Sequence, residues 1–435
     1  MSLKKVAITT LGCKVNQYEA TAITEMVKTA GYQVVSFDEP ADIYIINTCT
    51  VTHLGDRKSR QLIRRAVRTN PDALVVVTGC YAQIAPDEIL AIPGVDVVVG
   101  TAEKHNMLDI LAAGKKGQRL KAVQDIRQVQ EFEEIAAVAF TERTRAFLKV
   151  QEGCNHFCAY CIIPYARGPL RSRCPENALA EAKNLVSRGF KEIVLTGIHT
   201  GAYGKDLAGN MNLARLLGDM AQIPGLARLR LSSVEPMDFH QDLLDVFAQG
   251  PPLCRHIHIP LQSGDDTVLQ HMCRHYTTAD FGHLVTDIRK RLPGVAITSD
   301  IIVGFPGETA EQFNNTLQFV QQLGFAGLHV FKYSPRQGTL AAEFPQQVAP
   351  EVKEERSKAL MALGDKMAKE FAAQFVGTKQ EVLAEEYFDQ GKGLYQGFTD
   401  NYLKVVFPGE EQLRGHLVSI AIESCAHDIL FGRQW

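Results

Sequence analysis

The sequence predicts an α/β chain in three parts: an amino-terminal doubly wound α/β domain, an incomplete parallel (β/α)6 barrel, and a small carboxy-terminal OB-like β-barrel. Three observations predict it. Residues 1–100 alternate apolar runs (KKVAITT, DIYIIN, ALVVVTG, VDVVVG) with helix-like stretches. Six further apolar runs follow, separated by helical segments. After Pro350 a charged helical stretch gives way to five short strand-like runs divided by turn residues. The expected extents are 1–136, 137–371 and 372–435.

In the first part, the rhythm of strand and helix is that of a parallel sheet with helices packed on its faces. Its cysteines fall just beyond strands: Cys13 after the first, Cys49 after Ile43–Asn47, and Cys80 after Leu74–Gly79. In open α/β sheets the carboxyl ends of the strands line the ligand crevice, so the three are expected to converge on one edge. A polar stretch near Gly114–Thr141 separates this unit from the next.

In the second part, the strand candidates are Arg145–Gln151, Glu192–Thr196, Arg228–Leu231, His256–Pro260, Ala296–Val303 and Leu328–Tyr333, with helices such as Glu176–Arg188 and Thr309–Leu323 between them. Polar or glycine-rich strand ends (QEGCN, TGIHTGAYG, SSVEP, PLQSG, VGFPGE, YSPRQGT) fall where parallel barrels carry active-site loops. In the third part, a helix to about Phe375 precedes TKQEVLAEE, GLYQGFTD, NYLKVVF, LRGHLVSIAIES and HDILFGRQW.

Composition narrows the function. The 435 residues carry 46 Lys and Arg against 49 Asp and Glu, a formal net charge of −3. That balance excludes a chain that coats nucleic acid by bulk charge, so any nucleic-acid contact is local. The start, MSLKKVAITT, lacks the pattern of a secretory signal, and no run is long and apolar enough to span a membrane; a soluble, cytoplasmic protein is expected. Ten cysteines in such a chain point to metal or catalysis rather than a disulfide framework.

The sequence Cys154-Asn-His-Phe-Cys158-Ala-Tyr-Cys161 places three thiols in one short loop after the first barrel strand. Soft thiolates favour iron–sulfur clusters or zinc, and three ligands on a four-iron cluster leave one iron open to a small molecule. Zinc would want a fourth ligand, for which His156 or Cys174 could serve, so spacing alone leaves both open. Cys13, Cys49 and Cys80 are more dispersed. Each nevertheless follows an apolar strand and sits among turn or polar residues, which favours a shared second cluster over three buried thiols.

The segments Thr10-Leu11-Gly12-Cys13-Lys14-Val15-Asn16-Gln17-Tyr18-Glu19, Asn47-Thr48-Cys49-Thr50-Val51-Thr52 and Thr78-Gly79-Cys80, with the CxxxCxxC loop continuing Ile162-Ile163-Pro164-Tyr165-Ala166-Arg167-Gly168, resemble the radical S-adenosylmethionine (SAM) methylthiotransferases. The resemblance covers nearly the whole chain: a methylthiotransferase amino-terminal domain, a radical SAM partial barrel and a TRAM domain. CKVNQYE and NTCTVT are similar in particular to the branch that modifies threonylcarbamoyladenosine in tRNA. Cys273 and His275 stand where Asn and Arg are expected in that family.

The resemblance implies a tRNA-modifying enzyme that converts N6-threonylcarbamoyladenosine at position 37, beside the anticodon, to its 2-methylthio derivative. It implies that Cys154, Cys158 and Cys161 hold a [4Fe–4S] cluster whose free iron chelates SAM, cleaved there to a 5′-deoxyadenosyl radical that activates carbon 2 of the adenine. Cys13, Cys49 and Cys80 would hold an auxiliary [4Fe–4S] cluster that presents sulfur for methylation by another SAM molecule and for transfer. The partners implied are tRNA, SAM, an external electron donor and a sulfur source. Barrel strand ends offer SAM the polar or small residues Gly197, Ser233, Glu235, Asp300, Gly304 and Arg336.

For RNA, Asp56–Asn70 reads as a helix with Arg57, Arg60, Arg64 and Arg68 near one face; Arg167, Arg171 and Arg173 form a second candidate patch. The tail from Ala372 to Trp435 has five Lys or Arg against nine Asp or Glu, so RNA recognition there would rest on stacking by Tyr395, Phe398 or Tyr402. Three alternatives remain: the same chemistry on isopentenyladenosine tRNA, the same chemistry on a ribosomal-protein aspartate, and a zinc-stabilised RNA-binding protein without turnover.

Overall fold

The computed structural model describes residues 3–135 and 144–435; the expected boundary at 136/137 lies outside the described residues. The chain divides into two compact units. One joins the described part of 1–139 to Lys149–Cys174 and Ser334–Ala342; the other comprises 144–148, Pro175–Tyr333 and Glu343–Trp435.

The first unit is built on a six-stranded parallel sheet. Its strands are β1 (Lys5–Thr10), β2 (Gln33–Val35), β3 (Ile43–Thr48), β4 (Leu74–Gly79), β5 (Val97–Val99) and β6 (Leu120–Ala122), in the order β2-β1-β3-β4-β5-β6. β3 and β4 are buried along their whole length, which is why they read as continuous apolar runs. Alternate side chains feed two cores. Tyr44, Ile46, Val75 and Val77 meet Ile63 and Ala66 of helix α2 (His53–Thr69) on one face. Ile43, Ile45, Leu74 and Val76 meet Ile23 and Val27 of helix α1 (Lys14–Thr29) on the other. The domain is doubly wound. Strand β6 lies inside the stretch read as a polar linker; three half-exposed or exposed residues at a sheet edge leave no apolar run to see.

The expected strand Arg145–Gln151 is two elements. β7 (Arg145–Lys149) runs with the barrel, and β8 (Gln151–Glu152) pairs antiparallel with β9 (Arg171–Ser172), so this hairpin brackets the CxxxCxxC loop within the first unit.

In the second unit, β10 (Glu192–Thr196) and β11 (Arg228–Leu231) extend β7 into one sheet, and β12 (His256–His258), β13 (Ala296–Val303) and β14 (Gly327–Lys332) form another. Parallel bridges Leu229–Leu253 and Ser233–His258 join the two, giving an open six-stranded arc in chain order. Helices Pro175–Ser187 and Ala310–Leu323 lie at their expected places, the latter begun by a reciprocal Thr309–Gln312 cap. A 24-residue helix, Pro350–Ala373, leads to a closed barrel of β15 (Lys379–Asp389), β16 (Leu394–Thr399), β17 (Lys404–Pro408), β18 (Leu417–Ala426) and β19 (Ile429–Gln434), ordered β15-β16-β17-β19-β18. Its core is Val382, Ala384, Tyr395, Val405, Phe407, Ile420, Ile422 and Leu430.

Candidate metal centre

β1, β3 and β4 are neighbours in the first sheet, and each ends within three residues of a cysteine. Cys13 is the residue from which α1 starts, and Cys80 opens a short helix, α3 (Cys80–Ile84). Gly12 has φ of 103°, and a Cβ placed on it would lie 3.0 Å from Cys49 Cβ and 3.1 Å from its Sγ. Glycine is what lets these loops close on each other. Asn16 stitches them further, its amide donating to the carbonyls of Leu11 (2.7 Å) and Thr48 (3.0 Å). Burial pushes the Cys13 thiol up and that of Cys49 to about 12, with the neighbouring Cys80 sulfur adding to both. Three mutually interacting sulfurs, graded from exposed Cys13 through half-buried Cys49 to buried Cys80, fit a soft metal centre that replaces their protons, and fit an iron–sulfur cluster in particular.

The CxxxCxxC loop leaves Gln151–Glu152 and returns to Arg171–Ser172. Its neck is closed by Cys154 N donating to Gly168 O (3.0 Å), and Cys161 N donates to Cys158 O (2.9 Å). The amide of His156 donates to Cys154 Sγ (3.3 Å), so His156 supports that sulfur through its backbone. All three cysteines are half-buried. Phe157 and Tyr165 flank them, exposed and edge-to-face at 5.6 Å.

Between the triads lies a buried charge network that the sequence reading did not single out. Arg167, with no exposed surface, donates Nε–H to Cys80 Sγ (3.2 Å), Nη1–H to Glu152 Oε1 (2.9 Å) and Nη2–H to Glu19 Oε2 (3.1 Å); it also bonds Asn16 Oδ1. Lys149 reaches Glu152 Oε2 (2.8 Å), and Lys104 reaches Glu19 Oε1 (3.3 Å). Burial works against the ionised carboxylates of Glu19 and Glu152, but Arg167, Lys149 and Lys104 hold both below the usual carboxylate range. One signal for this network was present: Lys149 interrupts an apolar strand, and a charge in a buried strand needs a partner.

Other sequence candidates fall differently. Arg167, Arg171 and Arg173 are buried: Arg171 donates to the carbonyls of Val129 and Arg167, and Arg173 pairs with Glu134. The second RNA patch is therefore corrected, because these cations are spent inside the unit. Arg57, Arg64 and Arg68 are exposed on α2, whereas Arg60 bonds the Tyr81 hydroxyl (2.8 Å). Arg336 lies in the first unit, donating to Thr50 Oγ1 (2.6 Å) and paired with Asp56 Oδ2 (2.7 Å). Its segment also gives Ala341 N to Ala159 O (2.8 Å), so residues 334–342 strap the Cys49 loop to the CxxxCxxC loop.

In the second unit, Gly197 and Ser233 follow β10 and β11, and Glu235 is paired with Arg274. Asp300 Oδ1 lies 3.2 Å from His258 Nε2 and 3.1 Å from His329 Nδ1, and these contacts hold its carboxyl well below the usual range against the opposing effect of burial. Gly304 (φ 70°) has a reason of its own: a Cβ there would strike Lys353 at 2.4 Å, so packing alone demands the glycine. Tyr395 is barrel core. Phe398 and Tyr402, half-buried, are tilted against each other at 5.0 Å and lie under Arg145, and Tyr402 also under Arg230. Of the three aromatics proposed to stack on RNA, Tyr395 is closed off in the barrel core, while Phe398 and Tyr402 keep part of their surface exposed.

Comparison with known proteins agrees with this architecture. Residues 148–320 match the model of the Radical SAM superfamily, and residues 5–100 match that described as Uncharacterized protein family UPF0004. The fold is shared with the radical S-adenosylmethionine methyltransferase TsrM from Kitasatospora setae (TM-score 0.56, 17% identity, covering 77% of this chain and 74% of that one). The chain is thus a radical SAM enzyme.

Among curated proteins, the threonylcarbamoyladenosine tRNA methylthiotransferase MtaB of Bacillus subtilis is 49% identical over 96% of this chain and 93% of its own. That of Thermotoga maritima is 37% identical over 99% of both. The tRNA-2-methylthio-N(6)-dimethylallyladenosine synthase of Pelotomaculum thermopropionicum is 36% identical over 97% and 95%. The chain belongs to the threonylcarbamoyladenosine tRNA methylthiotransferase family.

Proposed function

We propose that this chain is a cytoplasmic enzyme that converts N6-threonylcarbamoyladenosine at position 37 of tRNA to its 2-methylthio derivative. The observation that carries it is the gathering of two separate cysteine triads into one compact unit. In this reading Cys154, Cys158 and Cys161 hold one [4Fe–4S] cluster, and Cys13, Cys49 and Cys80 hold the other. When bound, the clusters and SAM supply the radical, the sulfur and the methyl group; an external one-electron donor and a sulfur source complete the set.

The chain's own residues aim and shield this chemistry. The Ser334–Ala342 strap and the Arg167 network fix the two cysteine loops in one unit. Of the three sulfurs at the strand ends, that of Cys80 is shielded by burial, while Cys49 is half-buried and Cys13 is exposed. Gly197, Ser233, Glu235 and Asp300 remain the candidates for polar contact with SAM, and exposed Arg57, Arg64 and Arg68 are the candidate phosphate contacts.

The test is tRNA digestion after anaerobic reaction, with the nucleosides read by mass spectrometry. The expected product is 2-methylthio-N6-threonylcarbamoyladenosine, absent with Cys13→Ala. A methylthio product on isopentenyladenosine tRNA instead would move the chain to the other substrate. Full product from Cys13→Ala would overturn the auxiliary role.

A further inference from the structure

Arg167 is bound to four groups at once, and only one of them is a sulfur. Its Nε–H points at Cys80 Sγ at 3.2 Å, while its terminal nitrogens are held by Glu19, Glu152 and Asn16. Glu19 lies on α1, six residues after Cys13; Glu152 lies on β8, two residues before Cys154. One guanidinium therefore touches a ligand of one triad and is clamped by carboxylates on the two segments that carry other ligands. The side chains concerned are between 0% and 2% exposed, so no water screens them.

Lys104, Lys149 and Arg167 are salt-bridged to Glu19 and Glu152, Glu133 also faces Lys149 and Arg171 also faces Glu152, so four cations meet three carboxylates and one positive charge is in excess. An uncompensated buried cation is costly. The anion that fits is at the Nε–H: an oxidised [4Fe–4S] core on three thiolates carries a single net negative charge, and its one-electron reduced form carries two. Positive charge and an N–H donated to a ligand sulfur stabilise the more negative form.

We propose that Arg167 is a positioning residue that raises the reduction potential of the auxiliary cluster through its bond to Cys80, with Glu19 and Glu152 holding the guanidinium in place. The proposal rests on the two-cluster reading above. It assigns to the Arg of the IPYARG segment a role in tuning sulfur rather than in meeting RNA.

The test is a potentiometric titration of the reconstituted full-length chain followed by electron paramagnetic resonance, on wild type, Arg167→Lys and Arg167→Gln, with SAM added to shift the signal of the other cluster and separate the two couples. Arg167→Lys keeps the buried charge and loses the forked donor; Arg167→Gln loses the charge.

Both variants are expected to keep about eight irons per chain. The auxiliary couple is expected to move to lower potential, further in Gln than in Lys, while the other couple stays. Unmoved couples, or both couples moving together, would overturn the proposal. Loss of the auxiliary iron from both variants with unchanged far-ultraviolet dichroism would overturn it too, since Arg167 would then be a structural support. About four irons in the wild type would remove the two-cluster reading itself, an outcome distinct from eight irons with unmoved couples. No tRNA turnover enters the readout.

Discussion

Single buried ionisable residues carry two of the expected outcomes. The carboxylate of Asp238 is held by His199 (2.5 Å) and Lys205 (2.8 Å); burial opposes its charge, but these bonds bring it down to about 2. An unfolded aspartate titrates near 3.9. A carboxyl depressed in the folded state contributes stability that is full above about pH 4 and is lost as the pH falls through about 2, here about 2 kcal/mol. Denaturation of wild type and Asp238→Asn at several pH values should therefore show a gap that closes between pH 4 and 2; a constant gap would sink the assignment. Arg336 is the second case. Its partner Asp56 is buried, so Arg336→Met should cost about 3 kcal/mol by stranding that charge. The same variant should lose iron from the Cys49 loop, measured by iron per chain after reconstitution. In the sequence Arg336 stood out only as a polar residue at a strand end. Its partner is 280 positions away, which no local pattern reveals.

At the scale of elements, α2 is the clearest case of a helix legible in advance and sharpened by structure. Its apolar positions Ile63 and Ala66 face the sheet, and Thr52 accepts from Gly55 N (3.1 Å) to begin it. Thr52→Ala should cost about 1 kcal/mol in thermal or chemical unfolding. The exposed Arg57, Arg64 and Arg68 leave a narrower basic face than the sequence suggested, because Arg60 is turned to Tyr81. Replacing those three by Glu should weaken binding of an anticodon stem-loop by roughly tenfold or more at low salt and flatten the salt dependence, with melting unchanged. An unaltered salt slope would remove α2 from the RNA surface. The hairpin β8–β9 is the opposite case: two-residue strands with Arg, Gln and Glu have no periodicity to detect, and only their pairing across the cysteine loop defines them.

At the scale of the whole molecule, the second unit is tied together by arginines on β11. Arg230 donates to Glu192 (2.6 Å) and to the carbonyls of Asp400 (2.9 Å) and Thr399 (3.1 Å), while Arg228 reaches Phe398 O (2.8 Å). The carboxy-terminal barrel is thereby bonded to the strands of the open arc, and the two should melt together. Arg230→Met leaves Glu192 short of its main partner and should lower stability by about 3 kcal/mol, splitting one calorimetric transition into two; an unchanged single transition would contradict this. The sequence by itself determined the three architectures, because apolar period and turn residues are local properties of the chain. It also singled out the two cysteine triads, since residue type and position after a strand are local properties too. Only the tertiary structure decided that the CxxxCxxC loop packs with the first sheet, that Arg167 donates to the Cys80 sulfur, and that Tyr395 is barrel core while Phe398 and Tyr402 lie half-buried under arginines. Those facts depend on which buried charges and rings find partners across 87 to 170 positions of chain, and no short-range pattern encodes that.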